Sequence, residues 1–272
     1  METAQRQVKS RNESFAERQV TKIWQETAVL EAPYTADSCR CHGYDLFELM
    51  AKRSFVDILF LLFQGELPDP DQEQLLEKLM IALSNPGPRH AATRAAMLAG
   101  VGKTDPAHIL PIALSVLGGS HLGAGEMEDA MRFIRKQRKK DPAQTAREIL
   151  AQMEKPAAGD WHPVPGFGSR FGGIDSLTCQ LTDRLAELPG AGPALAWSKA
   201  FSTALHPHNM GILATGMAAA VFSDLGFHPR TGGGLLQLLC APGILAHGLE
   251  LANKPITAMP FPKDENYIIE EE

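Results

Sequence analysis

The chain has 272 residues, of which 44% are hydrophobic, 7% aromatic and 21% charged, enough for one substantial core or two modest ones. This composition excludes a disordered chain, and its four scattered cysteines favour free thiols in a reducing cytoplasm over a secreted disulfide framework. A formal net charge of −6 gives nucleic acid no general electrostatic attraction, so no nucleic-acid partner is expected.

The sequence shows no sign of export or membrane insertion. Residues 1–24 are polar and mixed in charge, with no apolar segment before a small-residue cleavage site. The longest apolar-rich stretch that we recognise in the last third, Met210–Leu225, is interrupted by small polar residues and Asp224 and falls short of a membrane span. The sequence therefore predicts a cytoplasmic protein without a membrane partner.

Helical spacing begins after Gly43. Apolar residues between Gly43 and Leu62 recur every three or four positions and predict a pair of short helices. Residues 65–68, Gly-Glu-Leu-Pro, end this pattern, and the acidic residues that follow cap a helix predicted to end near Leu83. The Asn-Pro-Gly-Pro segment at 85–88 stops that helix.

The rest of the chain repeats this helical spacing, with one irregular interruption. Helices are predicted over Ala91–Leu98, Ile109–Leu117, Glu126–Met153 with a new start at Asp141-Pro142, Leu177–Leu188, Ala194–Leu205, Gly211–Leu225 and Gly234–Leu251. Prolines and glycines between Lys155 and Gly173 predict a long irregular segment of the kind that often carries function. Since no run of alternating apolar and polar residues stands out, the predicted fold class is all-α.

One histidine, His121, sits among four glycines in the segment 118–126, Gly-Gly-Ser-His-Leu-Gly-Ala-Gly-Glu. Glycines let the backbone approach a ligand closely, and a histidine there can donate a hydrogen bond to a thioester carbonyl as an enolate forms. The alternative, a histidine that only satisfies a helix end, stays open on local sequence alone.

A second segment, residues 163–170, reads Pro-Val-Pro-Gly-Phe-Gly-Ser-Arg. It predicts a rigid, glycine-hinged loop that ends in Ser169 and the permanently charged Arg170. Such a loop suits an adenine or phosphate group, and the alternative is an ordinary surface connection.

Four further groups of residues predict little chemistry. Cys39-Arg40-Cys41-His42 has no second ligand pair and is typical of packing or incidental thiols. His206 and His208 have no acidic partner at helical spacing, so no metal site is predicted. The basic run 135–140 favours a solvated helix face over a phosphate contact, and the acidic end, Glu270–Glu272, favours a frayed tail.

The two glycine-containing segments together resemble citrate synthase and its short relative, the citryl-CoA lyase module. In that family a Gly-Pro-Leu-His-Gly-Gly-Ala segment precedes a Pro-Gly-Phe-Gly-His-Arg loop. Further ordered matches are Gly43-Tyr44-Asp45-Leu46, Ser54-Phe55, Gly65-Glu66-Leu67-Pro68 and Gly243-Ile244-Leu245-Ala246-His247. The resemblance covers roughly Gly43–Glu250, which is most of the chain.

The resemblance implies the architecture and the CoA-binding parts of the site. It implies an all-α protein with a large domain formed by residues 1–128 and 215–272, a small domain of residues 129–214, and an active-site cleft between them. It also implies a homodimer. His121 would hold the enolate of an acyl-CoA thioester, and CoA would be wrapped by Val164, Pro165, Gly166, Phe167 and Gly168. CoA would enter as part of a substrate or product rather than as a permanently bound cofactor.

At other positions the sequence departs from the family. A second histidine, an aspartate and a carboxylate-binding arginine of the family are replaced by Ser169, Thr215 and Cys240, and an earlier histidine by Pro86. Neither a serine nor an unaided threonine hydroxyl does the acid–base work of imidazole or carboxylate near neutral pH. Arg170 would contact a phosphate or carboxylate. An imidazole to replace the missing one is available from three positions: His90, His206 and His208.

Two functions of different classes follow. The first is a citryl-CoA-lyase-like or citrate-synthase-like enzyme, a carbon–carbon lyase or condensing acyltransferase, acting on a (hydroxy)acyl-CoA other than citryl-CoA. Fewer carboxylates on the substrate would explain the missing arginine, because an unpaired buried arginine is costly. The second is a noncatalytic acyl-CoA-binding paralogue that senses its ligand or associates with a partner protein. The retained His121 favours the enzyme.

Overall fold

A computed structural model describes residues 17–154 and 160–270, which form two compact units divided between Pro68 and Asp69. The expectations for residues 1–16, for positions 155–159 of the irregular segment and for the last two glutamates lie outside the described residues. The division into a large and a small domain stays a prediction.

The first unit opens with a β-hairpin that the sequence analysis did not predict. Strands β1 (Trp24–Val29) and β2 (Ala32–Cys41) pair antiparallel around Leu30 and Glu31, and β2 also pairs with the short β3 (Tyr44–Asp45). All six residues of β1 are exposed and only Cys41 of β2 is buried. Because so little of this hairpin is buried, its strands carry no alternating apolar pattern from which they could be predicted.

The predicted pair of short helices is confirmed as α1 (Leu46–Lys52) and α2 (Phe55–Gln64). The side chain of Asp45 accepts hydrogen bonds at the start of α1, and Ser54 with Asp57 forms a capping box on α2. Gly65 ends α2 with a left-handed φ of 82°, as its glycine predicted. Cys41 of β2, Leu49 of α1 and Leu61 of α2 form a small hydrophobic core in this unit.

The second unit is a bundle of helices in the described part of the chain. They are α3 (Pro70–Leu83), α4 (Ala91–Val101), α5 (Pro106–Leu117), α6 (Met127–Gln137), α7 (Pro142–Gln152), α8 (Ser176–Ala186), α9 (Pro193–Leu205), α10 (Ala214–Asp224) and α11 (Gly232–Ala252). Each confirms a predicted helix within a few residues. Proline at the first position starts four of them, where its missing N–H has no intrahelical partner to lose.

The start of α10 differs from the prediction. The sequence predicted a helix from Gly211, but Gly211–Ile212 forms β5, which pairs antiparallel with β4 (Phe167–Gly168). The helix begins three residues later, at Ala214. This two-residue ladder fastens the loop at 163–170 to the start of α10 and so brings two predicted site segments together.

Helix α11 runs along α4 and α5 at the centre of this unit. A Cβ on Gly100 of α4 would lie 2.2 Å from the carbonyl oxygen of Gly248 in α11, so only glycine allows these backbones to pack so closely. By length and composition the segment Pro229–Ala252 is also apolar enough to cross a membrane, unlike the shorter Met210–Leu225 that the sequence analysis considered. Of the apolar window in this segment, 39% is buried in the structure, where α11 packs against α4 and α5.

Candidate functional site

A cavity of about 100 Å³ opens within the second unit. Its polar lining consists of Asn85, His90, Arg170, Asp175, Thr178 and Thr215, and most of the remaining lining is aliphatic. Three predicted site residues, Arg170, Thr215 and Cys240, lie on this lining together with Pro86 and His90. Segments far apart in sequence therefore meet at one small cavity.

His90 is the imidazole that the fold brings to the cavity. Its Nδ1 accepts a hydrogen bond from the N–H of Ala92 at the start of α4, and its Nε2 lies 3.0 Å from the carbonyl oxygen of Leu122. Both contacts are satisfied by a neutral ring that carries its proton on Nε2. Burial lowers the pKa of His90, as does the nearby Arg170, while the hydrogen bond to Leu122 acts in the opposite direction. The ring is thus neutral and already held by two backbone groups.

Arg170 does not enter the cavity as a free cation. Its Nη1 donates to Oδ2 of Asp175 at 2.7 Å, and the other oxygen of Asp175 caps α8 through the N–H of Thr178. The Asp175 side chain is only 7% exposed, against 27% for Arg170. Because the two charges cancel within the lining, the cavity offers little attraction to a substrate with several carboxylates.

Thr215 lines the cavity with its hydroxyl turned toward a buried carboxylate, Glu126. Thr215 Oγ1 donates to Glu126 Oε1 at 2.6 Å, and Glu126 Oε2 accepts the N–H of Gly166 at 3.2 Å. Thr215 and Glu126 are 1% and 7% exposed. Glu126 is the last residue of the glycine-rich segment 118–126, and no role was predicted for it from sequence. The sequence signal that could have identified Glu126 was its position, at the end of a glycine-rich segment and the start of a predicted helix.

Cys240 is buried in α11 on the cavity wall. Burial raises the pKa of its thiol to about 12, so the thiol is neutral near pH 7. At the position where the resemblance has a carboxylate-binding arginine, the cavity therefore presents a small, uncharged side chain.

His121 lies outside this cavity, in a shallow pocket lined also by Asp160, Phe171 and Gly172. Its side chain is 58% exposed. The glycines around it make a tight turn, because a Cβ on Gly123 would lie within 2.5 Å of two backbone oxygens. An accessible histidine on a tightly folded loop can reach a ligand that arrives from solvent.

The pocket of His121 and the cavity share two loops, because adjacent residues of each loop line the two. Leu122 and Arg170 line the cavity, whereas their chain neighbours His121 and Phe171 line the shallow pocket. Leu122 and Phe171 have left-handed φ angles of 56° and 52°. Such conformations cost on the order of 1 kcal/mol in non-glycine residues and concentrate at functional sites.

His121, Asp160 and His162 form a cluster that the sequence analysis missed, which we call the histidine–aspartate cluster. Their potential ligand atoms lie within 4.8 Å of one another, and the two imidazole rings stack at 4.3 Å with 8° between their planes. His162 Nε2 lies 3.2 Å from the carbonyl oxygen of Ser169, and Asp160 accepts the N–H of Gly172. Stacked rings point their lone pairs side by side rather than at a common point, so a metal would require them to rotate.

The charges of this cluster are coupled. Burial lowers the pKa of His162, and the neighbouring His121 lowers it further. Burial opposes ionisation of Asp160, but backbone hydrogen bonds from Gly172 and Phe171 and the two histidines lower the pKa of its carboxyl. The cluster therefore holds an ionised Asp160 beside a neutral His162 near pH 7.

The predicted CoA loop is mostly buried. Gly166, Phe167, Gly168 and Ser169 are buried, whereas Val164 and Pro165 are half-exposed. Ser169 is held within the loop, because its Oγ accepts the N–H of Trp161 at 3.0 Å and its N–H donates back to the Trp161 carbonyl. Of the six predicted residues at 164–169, Val164 and Pro165 present the most surface to a ligand.

His206 and His208 lie outside the cavity. Both belong to a single 3-10 turn after α9, where His206 is half-exposed and His208 exposed. His206 Nε2 lies 4.0 Å from the Cys179 sulfur. The fold therefore brings His90, but neither of these two, to the site.

The chain was compared with known protein families, curated proteins and solved structures. No family model matches the chain, and no curated protein matches it. Citryl-CoA lyase from Hydrogenobacter thermophilus superposes with a TM-score of 0.73 at 23% identity, covering 93% of this chain and 95% of the lyase. ATP citrate lyase from Methanosaeta concilii, solved with (3S)-citryl-CoA, gives 0.68 at 16% identity, covering 90% of this chain and 42% of that one. Citrate synthase from Thermotoga maritima gives 0.60 at 19% identity, covering 80% and 59%. The chain therefore shares the all-α fold of citryl-CoA lyase and citrate synthase, as the resemblance in its sequence implied.

Proposed function

We propose that this protein makes or cleaves a carbon–carbon bond in a (hydroxy)acyl-CoA thioester through an enolate, as a relative of citryl-CoA lyase and citrate synthase. The fold supports this function, because the match to citryl-CoA lyase extends over nearly the whole of both chains. The observation that carries it is the meeting of Thr215, Arg170 and His90 at a cavity whose walls also carry the His121 loop.

His121 is the proposed hydrogen-bond donor to the thioester oxygen. As the bond next to the thioester breaks or forms, negative charge develops on that oxygen, and a donor aimed at it stabilises the enolate. His121 is exposed on a rigid turn and faces the side from which a large CoA group can approach. The half-exposed Val164 and Pro165 are the proposed contacts for CoA.

The other half of the substrate is proposed to be smaller and less charged than citrate. The cavity holds about 100 Å³, and the guanidinium that Arg170 contributes to its described lining is paired with Asp175. A buried carboxylate that finds no cation loses its hydration without compensation. Citrate chemistry in its usual form is therefore disfavoured, and a carbonyl or hydroxyl compound with few carboxylates is favoured.

One observation favours the second function, a noncatalytic acyl-CoA-binding protein. Ser169 stands where the family has a histidine, and its hydroxyl is occupied by the N–H of Trp161. A protein that only binds its ligand does not need an acid or base at this position. This alternative keeps the CoA contacts and removes turnover.

Incubating the purified protein with a panel of hydroxyacyl-CoA thioesters, including citryl-CoA and monocarboxylate analogues, tests the enzyme directly. Mass spectrometry follows thioester loss and the carbonyl product. We expect cleavage of at least one monocarboxylate analogue, lost in His121→Ala and kept in His108→Ala, which removes an exposed histidine from α5. CoA binding by calorimetry with no turnover of any thioester would instead support the binding protein.

The homodimer and the cytoplasmic location remain predictions from the resemblance and the composition. Light scattering of the purified chain measures its mass in solution. A mass of twice 29.5 kDa is the expected result, and a mass equal to one chain would contradict the homodimer.

A further inference from the structure

Glu126 is a buried carboxylate that the proposed function leaves unused. It lies at the end of the His121 loop, immediately before α6, and is 7% exposed. Within residues 17–154 and 160–270 it accepts hydrogen bonds from Thr215 and Gly166 but forms no ion pair. Burying a carboxylate without a cation is costly, so a purely structural acceptor would be better served by an amide.

The hydrogen bond between Thr215 and Glu126 sets the direction in which Thr215 can act. A threonine hydroxyl has one proton and two lone pairs, and here its proton is donated to Glu126 Oε1. Its lone pairs therefore remain for a donor in the cavity that Thr215 lines. Thr215 is thus oriented to accept a proton from a substrate while passing its own to Glu126.

We infer that Thr215 and Glu126 form a proton relay that replaces the base missing from this site, an inference that rests on the proposed function. Thr215 touches the substrate, and Glu126 acts through it as a positioning and proton-holding residue. The resemblance places an aspartate at Thr215. The fold instead supplies a carboxylate from the start of α6, at 2.6 Å from the threonine hydroxyl.

The proton balance of the reaction is compatible with a single relay. In the cleavage direction, Thr215 takes the proton of the substrate hydroxyl while its own proton moves to Glu126. The oxygen left on the substrate forms the carbonyl as the carbon–carbon bond breaks, and the bonding electrons become the enolate held by His121. The same proton then returns from Glu126 through Thr215 to the enolate carbon. The hydroxyl proton ends on the new methyl group, so no further acid, base or oxidant is required.

Two features of the fold keep this relay in place. Glu126 Oε2 is fixed by the N–H of Gly166 at 3.2 Å, and the carbonyl of the same Gly166 accepts the N–H of Leu213, two residues before Thr215. The loop at 163–170 therefore ties both members of the pair to one backbone unit. Burial lowers the pKa of the nearby His162, whereas the carboxylate of Glu126 acts in the opposite direction.

Exchange of the α-hydrogens of acetyl-CoA and propionyl-CoA in D2O, followed by NMR, tests the relay without a second substrate. We expect the wild-type protein to exchange them and Glu126→Gln to lower the maximal rate by about 100-fold or more, the usual contribution of a general base. The Kd for CoA should stay within about threefold in the same variant, because the proposed CoA contacts, Val164 and Pro165, are not hydrogen-bond partners of Glu126. The matched control is Glu128→Gln, which removes a surface carboxylate paired with Arg132.

Two variants of Thr215 make the test independent of the folding of Glu126→Gln. Thr215→Val keeps the shape of the side chain but removes the hydroxyl, and it should lose exchange as Glu126→Gln does. Thr215→Ser restores a hydroxyl and should recover most of the rate, which a packing role alone would not produce.

The outcomes separate the relay from the proposed function. Wild-type exchange that persists in folded Glu126→Gln, or in Thr215→Val, overturns the relay and leaves the enolate function standing. If His121→Ala loses exchange while the Glu126 and Thr215 variants keep it, the relay is likewise overturned and the enolate function stands. A wild-type protein that binds CoA but exchanges no α-hydrogen of either thioester overturns the relay and the proposed function together.

Discussion

Replacing Gly216 by alanine tests the contact on which the site depends. A Cβ on Gly216 would lie 2.1 Å from the carbonyl oxygen of Gly166, whereas ordinary van der Waals contact begins at 3.4 Å. The two backbones would have to separate by about 1.3 Å, the difference between these distances. The Gly166 carbonyl cannot move freely, because it accepts the N–H of Leu213, and the Gly166 N–H is bound to Glu126.

The free energy of unfolding should fall by about 2–3 kcal/mol. Overpacking a well-filled site costs about 1–3 kcal/mol, and a backbone-on-backbone clash belongs at the upper end. Better helix propensity of alanine returns less than about 1 kcal/mol. A shift of this size would also stretch the hydrogen bond from Thr215 to Glu126, now 2.6 Å, so α-hydrogen exchange should fall even in the folded variant.

Urea unfolding followed by circular dichroism measures this change. The matched control is Gly234→Ala in α11, where no atom lies within 4 Å of the added Cβ and stability should be unchanged or higher by up to about 1 kcal/mol. If Gly216→Ala unfolds at the same urea concentration as Gly234→Ala, the close approach of the two backbones is not what holds the site.

Three further predictions concern stability and metal binding. Burial lowers the pKa of His90 and His162 below 6.5, so the unfolded chain binds more protons than the folded chain as the pH falls through that value. The melting temperature should therefore be level above about pH 6.5 and decline below it. A level profile down to about pH 5 would contradict the burial argument. Asp224→Ala should lower the free energy of unfolding in urea by about 3 kcal/mol, because the Asp224 carboxylate accepts three N–H groups at the start of α9. The control, Asp183→Ala, removes an exposed carboxylate and should lower it by less than about 1 kcal/mol. Equal urea midpoints for the two variants would refute the capping role of Asp224. Added Zn2+ should leave the melting temperature unchanged, since the rings of the histidine–aspartate cluster are stacked; a rise of several degrees that His162→Ala abolishes would show a metal site.

The helices could be predicted because their signals are local. Asp69 with Pro70 starts α3, and Gly65 ends α2, as capping chemistry requires. The hairpin at 24–41 could not be predicted, because its strands are held by backbone pairing with nearly all side chains exposed. Likewise, Gly211 and Ile212 look helical by composition, and only their pairing with Phe167 and Gly168 makes them a strand.

The site was predictable as segments but not as contacts. Ordered motifs identified the His121 loop and the loop at 163–170 from sequence. Whether a residue faces the cavity depends on the fold: Arg170 and Thr215 do, while Ser169 is turned into its own loop. The hydrogen bond between Glu126 and Thr215 joins residues 89 positions apart, a distance over which no local pattern gives information.

The cavity that Thr215 lines and the pocket that His121 lines suggest how a substrate would be divided between them. In the proposed function, His121 holds the thioester carbonyl in the exposed pocket that it lines with Phe171, whereas Thr215 faces the cavity lined by the neighbouring residues Leu122 and Arg170. The bond that breaks would then lie between the two, with the departing carbonyl fragment inside. That cavity holds about 100 Å³, and among the described residues that line it the guanidinium of Arg170 is paired with Asp175. Substrate choice should therefore depend on the size and charge of this fragment more than on CoA. Enlarging the fragment by a second carboxylate should therefore lower kcat/KM, while a small uncharged fragment should be preferred.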